Sequence, residues 1–147
     1  MKTIAIACDH AGLALKLHVV PFLQDQGLQV LDFGTDSLDS VDYPDFAARV
    51  AEVVSSKEVE KGILICGTGL GMALTANRFP GVRAASLNDV YSATMAREHN
   101  DLNVLCLGSR VVGLGLAQML VQTFLNVAFA GGRHASRVNK IHSYEAK

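Results

Sequence analysis

Cys66-Gly67-Thr68-Gly69-Leu70-Gly71 sets a thiol and a hydroxyl among three glycines. Without Cβ atoms in the way, the backbone N–H groups of such a turn can face one point. A helix start adds unpartnered N–H groups and the positive end of a dipole. The chemistry on offer is an anion pocket with a base or nucleophile at its lip. The same stretch also reads as a tight turn beside a buried, inert Cys. Further reactive side chains lie elsewhere. Asp9-His10 and Arg110 each follow an apolar run, His99-Asn100 closes a helix-like stretch, and Arg133 and Arg137 stand four residues apart. On a helix that arginine pair shares a face and could fork one phosphate. It could equally be a solvated basic face, as Glu98 to Asp101 could be a plain helix stop.

The elements that must carry these residues alternate. Strands are expected at Thr3 to Cys8, an apolar and partly β-branched run, and at Leu28 to Phe33, Ile63 to Cys66, Val82 to Leu87 and Val104 to Leu107. Helices are expected from Leu13 to Gln26, from Tyr43-Pro44 to Ser55, from Met72 to Asn77, from the Asn88-Asp89 cap to His99, and from Leu114 to about Ala128. Gly27 closes the first, and Pro21 should kink it or mark a second start. Gly131-Gly132 breaks the chain before a polar final segment, Arg133 to Tyr144. The alternation predicts a Rossmann-like three-layer α/β/α fold with a five-stranded parallel sheet. In such folds ligands bind beyond the carboxyl ends of the strands. Asp9, His10, Cys66, Thr68 and Arg110 fall there. His99-Asn100 fall at the other end, roughly a strand length (~17–20 Å) away. If they serve the same site, a second subunit must bring them. The acids Asp36 and Asp39 read as solvated loop.

Composition narrows the classes. The 147 residues are most simply one domain, 1–147, and half of them are apolar. The net charge of −1, without a basic run, gives no sign of a nucleic-acid partner. The first apolar run is cut short by Asp9-His10, so neither a signal peptide nor a membrane span is expected, and a soluble cytoplasmic protein is the default. Cys8, Cys66 and Cys106 form no CxxC, so free thiols and no structural zinc are expected.

Taken together, Ala7-Cys8-Asp9-His10-Ala11-Gly12, Asp42-Tyr43-Pro44, Gly62 to Gly69, Asn88 to Ala93, Arg97 to Asp101 and Gly108 to Gly113 resemble ribose-5-phosphate isomerase of type B, a family shared with the galactose-6-phosphate isomerase subunits. The resemblance covers nearly the whole chain. It implies metal-free, cofactor-free interconversion of D-ribose 5-phosphate and D-ribulose 5-phosphate, a step of the pentose phosphate pathway. It also implies a homodimer with sites shared between subunits, pairing into tetramers being left open.

The resemblance further implies roles. Cys66 is the base that moves a proton between carbons 1 and 2, helped by Thr68; a helix N-terminus favours a thiolate. The N–H groups from Gly67 through Gly69 to Gly71 hold the enediolate. His99 opens the sugar ring, Asn100 holds hydroxyls and Asp9 carries hydroxyl protons. Arg133 and Arg137 bind the phosphate with His10 and Arg110, and Tyr43 walls the site. Cys8 and Cys106 are core. Some relatives carry a Glu after the glycine loop in place of the Cys; here Met72 to Thr75 offer no acid. The intact Asp-His, Cys and His-Asn sets favour a five-carbon substrate, with allose 6-phosphate or galactose 6-phosphate as the alternative. A phosphate- or nucleotide-binding module would use the loop without needing Cys66 or His99.

Overall fold

The computed structural model describes residues 2–146. Five strands form one parallel sheet: β1 (Thr3–Cys8), β2 (Gln29–Asp32), β3 (Gly62–Cys66), β4 (Ala84–Ser86) and β5 (Val104–Gly108), in the order β2-β1-β3-β5-β4. The helices are α1 (Leu13–Asp25), α2 (Tyr43–Ser55), α3 (Leu70–Ala76), α4 (Val90–Asn100), α5 (Leu114–Asn126) and α6 (Arg133–His142).

Side-chain alternation along the strands builds two cores. Ile4, Ile6, Ile63, Ile65, Leu105 and Leu107 face one layer, with buried residues of α1, α4 and α5. Ala5, Ala7, Leu64, Cys66, Val104 and Cys106 face the other, with α2 and α3. Strands buried on both sides read as continuous apolar runs, which is why β1, β3 and β5 were legible.

The edge elements are shorter than their apolar runs suggest. β2 and β4 each pair on one side only, so β4 keeps three residues of the expected six. α3 starts two residues early, at Leu70, because left-handed Gly69 (φ 79°) turns the chain directly into it. α1 passes through Pro21 unbroken. The hydrogen bond that proline forfeits lies between Pro21 and Leu17, both exposed, so the freed carbonyl is on the solvent side of the helix. Gly27 (φ 83°) follows α1 as expected, and the Asp89 carboxylate accepts the Ser92 N–H to cap α4.

Candidate active site

Register puts the first group together. Cys8 lies opposite Ile65 and the Asp9 N–H donates to the Ile65 carbonyl at 3.1 Å, so Asp9 comes beside Cys66 on the adjacent strand. Both side chains leave on the same face of the sheet, since Ala5 and Ala7 share that face with Leu64 and Cys66. Asp9 is buried, and its Oδ1 accepts the Gly12 N–H at 3.1 Å. Gly12 can be nothing larger: a Cβ there would stand 2.4 Å from the Ile65 carbonyl oxygen.

The Cys66 Sγ accepts the Gly69 N–H at 3.1 Å, which turns the thiol into the glycine loop. The Leu70 N–H goes to Thr68 Oγ1 (3.3 Å). Two of the loop's N–H groups thus fix Cys66 and Thr68 themselves rather than facing an empty pocket. The loop is clamped from β4 and β5. Ser86 Oγ donates to the Thr68 carbonyl (2.8 Å), and a Cβ on Gly108 would meet Thr68 backbone at 2.7 Å. The Tyr43 ring lies on Gly71, where a Cβ would come within 2.3 Å of it. The Arg110 guanidinium lies over Gly67, and the Arg110 backbone N–H donates to the Gly67 carbonyl at 3.1 Å. His10 Nδ1 accepts the Val41 N–H at 3.2 Å, which leaves Nε2 as the donor.

The other thiols differ. Cys8 Sγ donates to the Thr35 carbonyl, and burial pushes its pKa up to about 11. Cys106 is also pushed up, by burial first and by Cys66 second. Both are core thiols, as expected.

His99, Asn100, Arg133 and Arg137 form a second group at the opposite end of the sheet. Buried Arg97 pins the end of α4, donating to the Val127 and Leu102 carbonyls and to Asp101 Oδ1. The Ala130 N–H then donates to the Glu98 carbonyl, and Gly131 (φ 64°) and Gly132 (φ 56°) turn the chain into α6. α6 thereby lays His134 flat on His99, with ring centroids 4.2 Å apart and planes 12° off parallel. Arg133 and Arg137 stand exposed on the same helix, and Asn100 is exposed at the end of α4.

Sequence reasoning passed over His134, although its i,i+3 spacing to Arg137 was a usable signal. It also passed over Lys16. That side chain is 1% exposed, and its Nζ donates to Asp32 Oδ1 and the Thr35 carbonyl, both at 2.8 Å. A cation in an otherwise apolar helix face gives no hint of where its partners are. Lys16 holds the root of the loop whose Val41 meets His10. Among the described residues no cluster has the makings of a metal site, and no helix is long and apolar enough to cross a membrane.

A parallel sheet that sets an acid, a thiol and a glycine loop side by side at its carboxyl rim has the layout of an α/β/α enzyme acting on a small anion. The family model for ribose/galactose isomerase matches residues 4–141. Ribose-5-phosphate isomerase B of Escherichia coli is 49% identical over 147 residues, which is all of this chain and 99% of that protein. The solved ribose-5-phosphate isomerase B of Clostridium thermocellum is 54% identical, with a TM-score of 0.94 over 96% of this chain and 95% of that one. That of Mycoplasma genitalium, solved with bound ribulose-5-phosphate, is 43% identical with a TM-score of 0.93, over 97% and 95%. The chain belongs to the ribose/galactose isomerase family, and it is an isomerase.

Proposed function

We propose that this enzyme interconverts D-ribose 5-phosphate and D-ribulose 5-phosphate through an enediolate, as a soluble cytoplasmic homodimer. The observation that carries the chemistry is Asp9 beside Cys66 with the Gly69 N–H on Sγ. The substrate reading rests on the E. coli relative and on the ribulose-5-phosphate bound to the M. genitalium enzyme. The furanose opens first: the bond from carbon 1 to the ring oxygen breaks, His99 gives that oxygen a proton, and the anomeric hydroxyl gives its proton to Asp9 as the carbon 1 carbonyl forms. Cys66 then takes the proton from carbon 2 and returns one to carbon 1, assisted by Thr68. Asp9 carries the hydroxyl protons. The N–H groups of Gly67, Thr68 and Gly71 stabilise the enediolate as its charge develops. Asn100 holds hydroxyls, Tyr43 walls the sugar, and Arg133, Arg137, His10 and Arg110 bind the phosphate.

His99, Asn100 and the two arginines come from the second subunit in this reading. Support comes from the separation of the two groups within one chain. Exposed Leu70, Leu74 and Tyr91 on α3 and α4 add apolar surface for a partner to cover.

The test is ribulose 5-phosphate formation from ribose 5-phosphate with chelator present, comparing wild type with Cys66→Ala. Turnover that the substitution abolishes upholds reaction and base. Turnover on allose 6-phosphate or galactose 6-phosphate alone keeps the mechanism and moves the substrate. Turnover that survives Cys66→Ala overturns the thiol as base.

A further inference from the structure

We propose that His134 is a positioning residue for ring opening: its imidazole, stacked flat on His99, ties the proton donor to the arginine pair that grips the phosphate. The inference rests on the isomerase reading above and deepens it.

His99 sits half-buried in the last turn of α4, next to the exposed Asn100. Imidazole has a broad, nearly free χ2 torsion, so a flat neighbour is the means of holding its plane. His134 is that neighbour, 4.2 Å away and 12° off parallel. It stands in the first turn of α6, one residue after Arg133 and three before Arg137. Arg137 is thus the helix neighbour of both, four residues on from Arg133 and three on from His134. The phosphate grip and the support for the donor are therefore one rigid helix, fixed by the Gly131-Gly132 turn and by Ala130 on Glu98.

The charges suit this task. His99 and Glu98 face His134 from α4, and Arg133 and Arg137 from its own helix. Burial holds His134 below the usual histidine range; His99, Arg133 and Arg137 push the same way, and Glu98 opposes them. The shift favours the uncharged His134 ring, the form that stacks on His99 without charge repulsion. At acid pH a proton on His134 would repel its neighbours and loosen the stack.

The experiment compares His134→Ala and His134→Phe in the full-length protein. Phe keeps a flat ring and cannot be charged. His134→Ala should lower kcat on ribose 5-phosphate by about tenfold or more, since misplacing a reacting group by about 1 Å costs up to ~10²-fold. KM should change little. His134→Phe should restore kcat to within about threefold, with its acid limb moved to lower pH. A Phe variant as slow as Ala overturns the proposal, because the imidazole's polar atoms would then be what matters. So does a rise in KM alone with Ala, which would make His134 a plain phosphate ligand. The stack is read without turnover from the ring-current displacement of the His99 Cε1 proton. It should vanish in His134→Ala and persist in His134→Phe; loss in both, or persistence in both, overturns the stack. If wild type fails to turn over ribose 5-phosphate, the substrate reading falls, and the ring current alone decides the stack.

Discussion

Cys66 and His99 stand at opposite ends of the same sheet. Cys66 is in register with Gly108, the last residue of β5, while His99 lies before Val104, its first. Five strand residues separate those levels by about 13 Å. If both act on one sugar, they act from different subunits. Cys66→Ala and His99→Asn homodimers should then each be inactive, and mixing them under exchange should restore about a quarter of wild-type activity, because half the dimers are mixed and half their sites are intact. Steady-state rates of the mixture check this. No recovery despite subunit exchange overturns the shared site.

Arg137 is exposed on α6, so its loss should leave the fold alone. A charge-assisted hydrogen bond contributes about 1.5–3 kcal/mol, so Arg137→Ala should raise KM for the phosphorylated sugar about ten- to hundredfold. The thermal midpoint should hold. A KM unchanged from wild type would assign Arg137 to the solvated face.

Lys16 should matter without touching substrate. Lys16→Met leaves Asp32 and the Thr35 carbonyl without their buried cation. Lys16 is buried but Asp32 is exposed, so the cost is that of a buried carbonyl left unpaired, about 1–3 kcal/mol, and urea midpoints would measure it. The loop that carries Val41 to His10 hangs from Thr35, so KM should rise as well. A stability within error of wild type would mean that the pair does not hold the loop.

The two core thiols tie stability to alkaline pH. The unfolded Cys8 loses its proton near 9.0, while the folded one keeps it to about 11. Its contribution is complete below the lower value and is lost as pH rises between the two. Cys106 acts in the same direction. Lys61, lowered by burial from 10.5 to about 8, acts oppositely over part of that range. The measurement is therefore a difference: Cys8→Ala/Cys106→Ala should lose less stability than wild type over that interval, by chemical denaturation. Equal losses would sink the assignment.

The motifs singled out the glycine loop and its thiol, and composition and periodicity located the frame that holds them. Those signals are local. Apolar runs with a period of two or near four, a glycine at a turn and an Asp at a cap depend on a few neighbouring residues, so Thr3 to Cys8 and Asp89 could be read directly. The sequence could also say that His99 falls at the far end of the sheet, since a helix between parallel strands must run back.

What the tertiary structure decided is which distant side chains meet. The β1–β3 register put Asp9 beside Cys66, and strand pairing is fixed by contacts about 57 residues apart, not by either strand alone. The packing of α6 on α4 laid His134 on His99, though neither segment signals the other. Lys16 can be buried because the end of β2 offers it the Asp32 carboxylate and the turn after it the Thr35 carbonyl, partners that only the folded chain brings within reach.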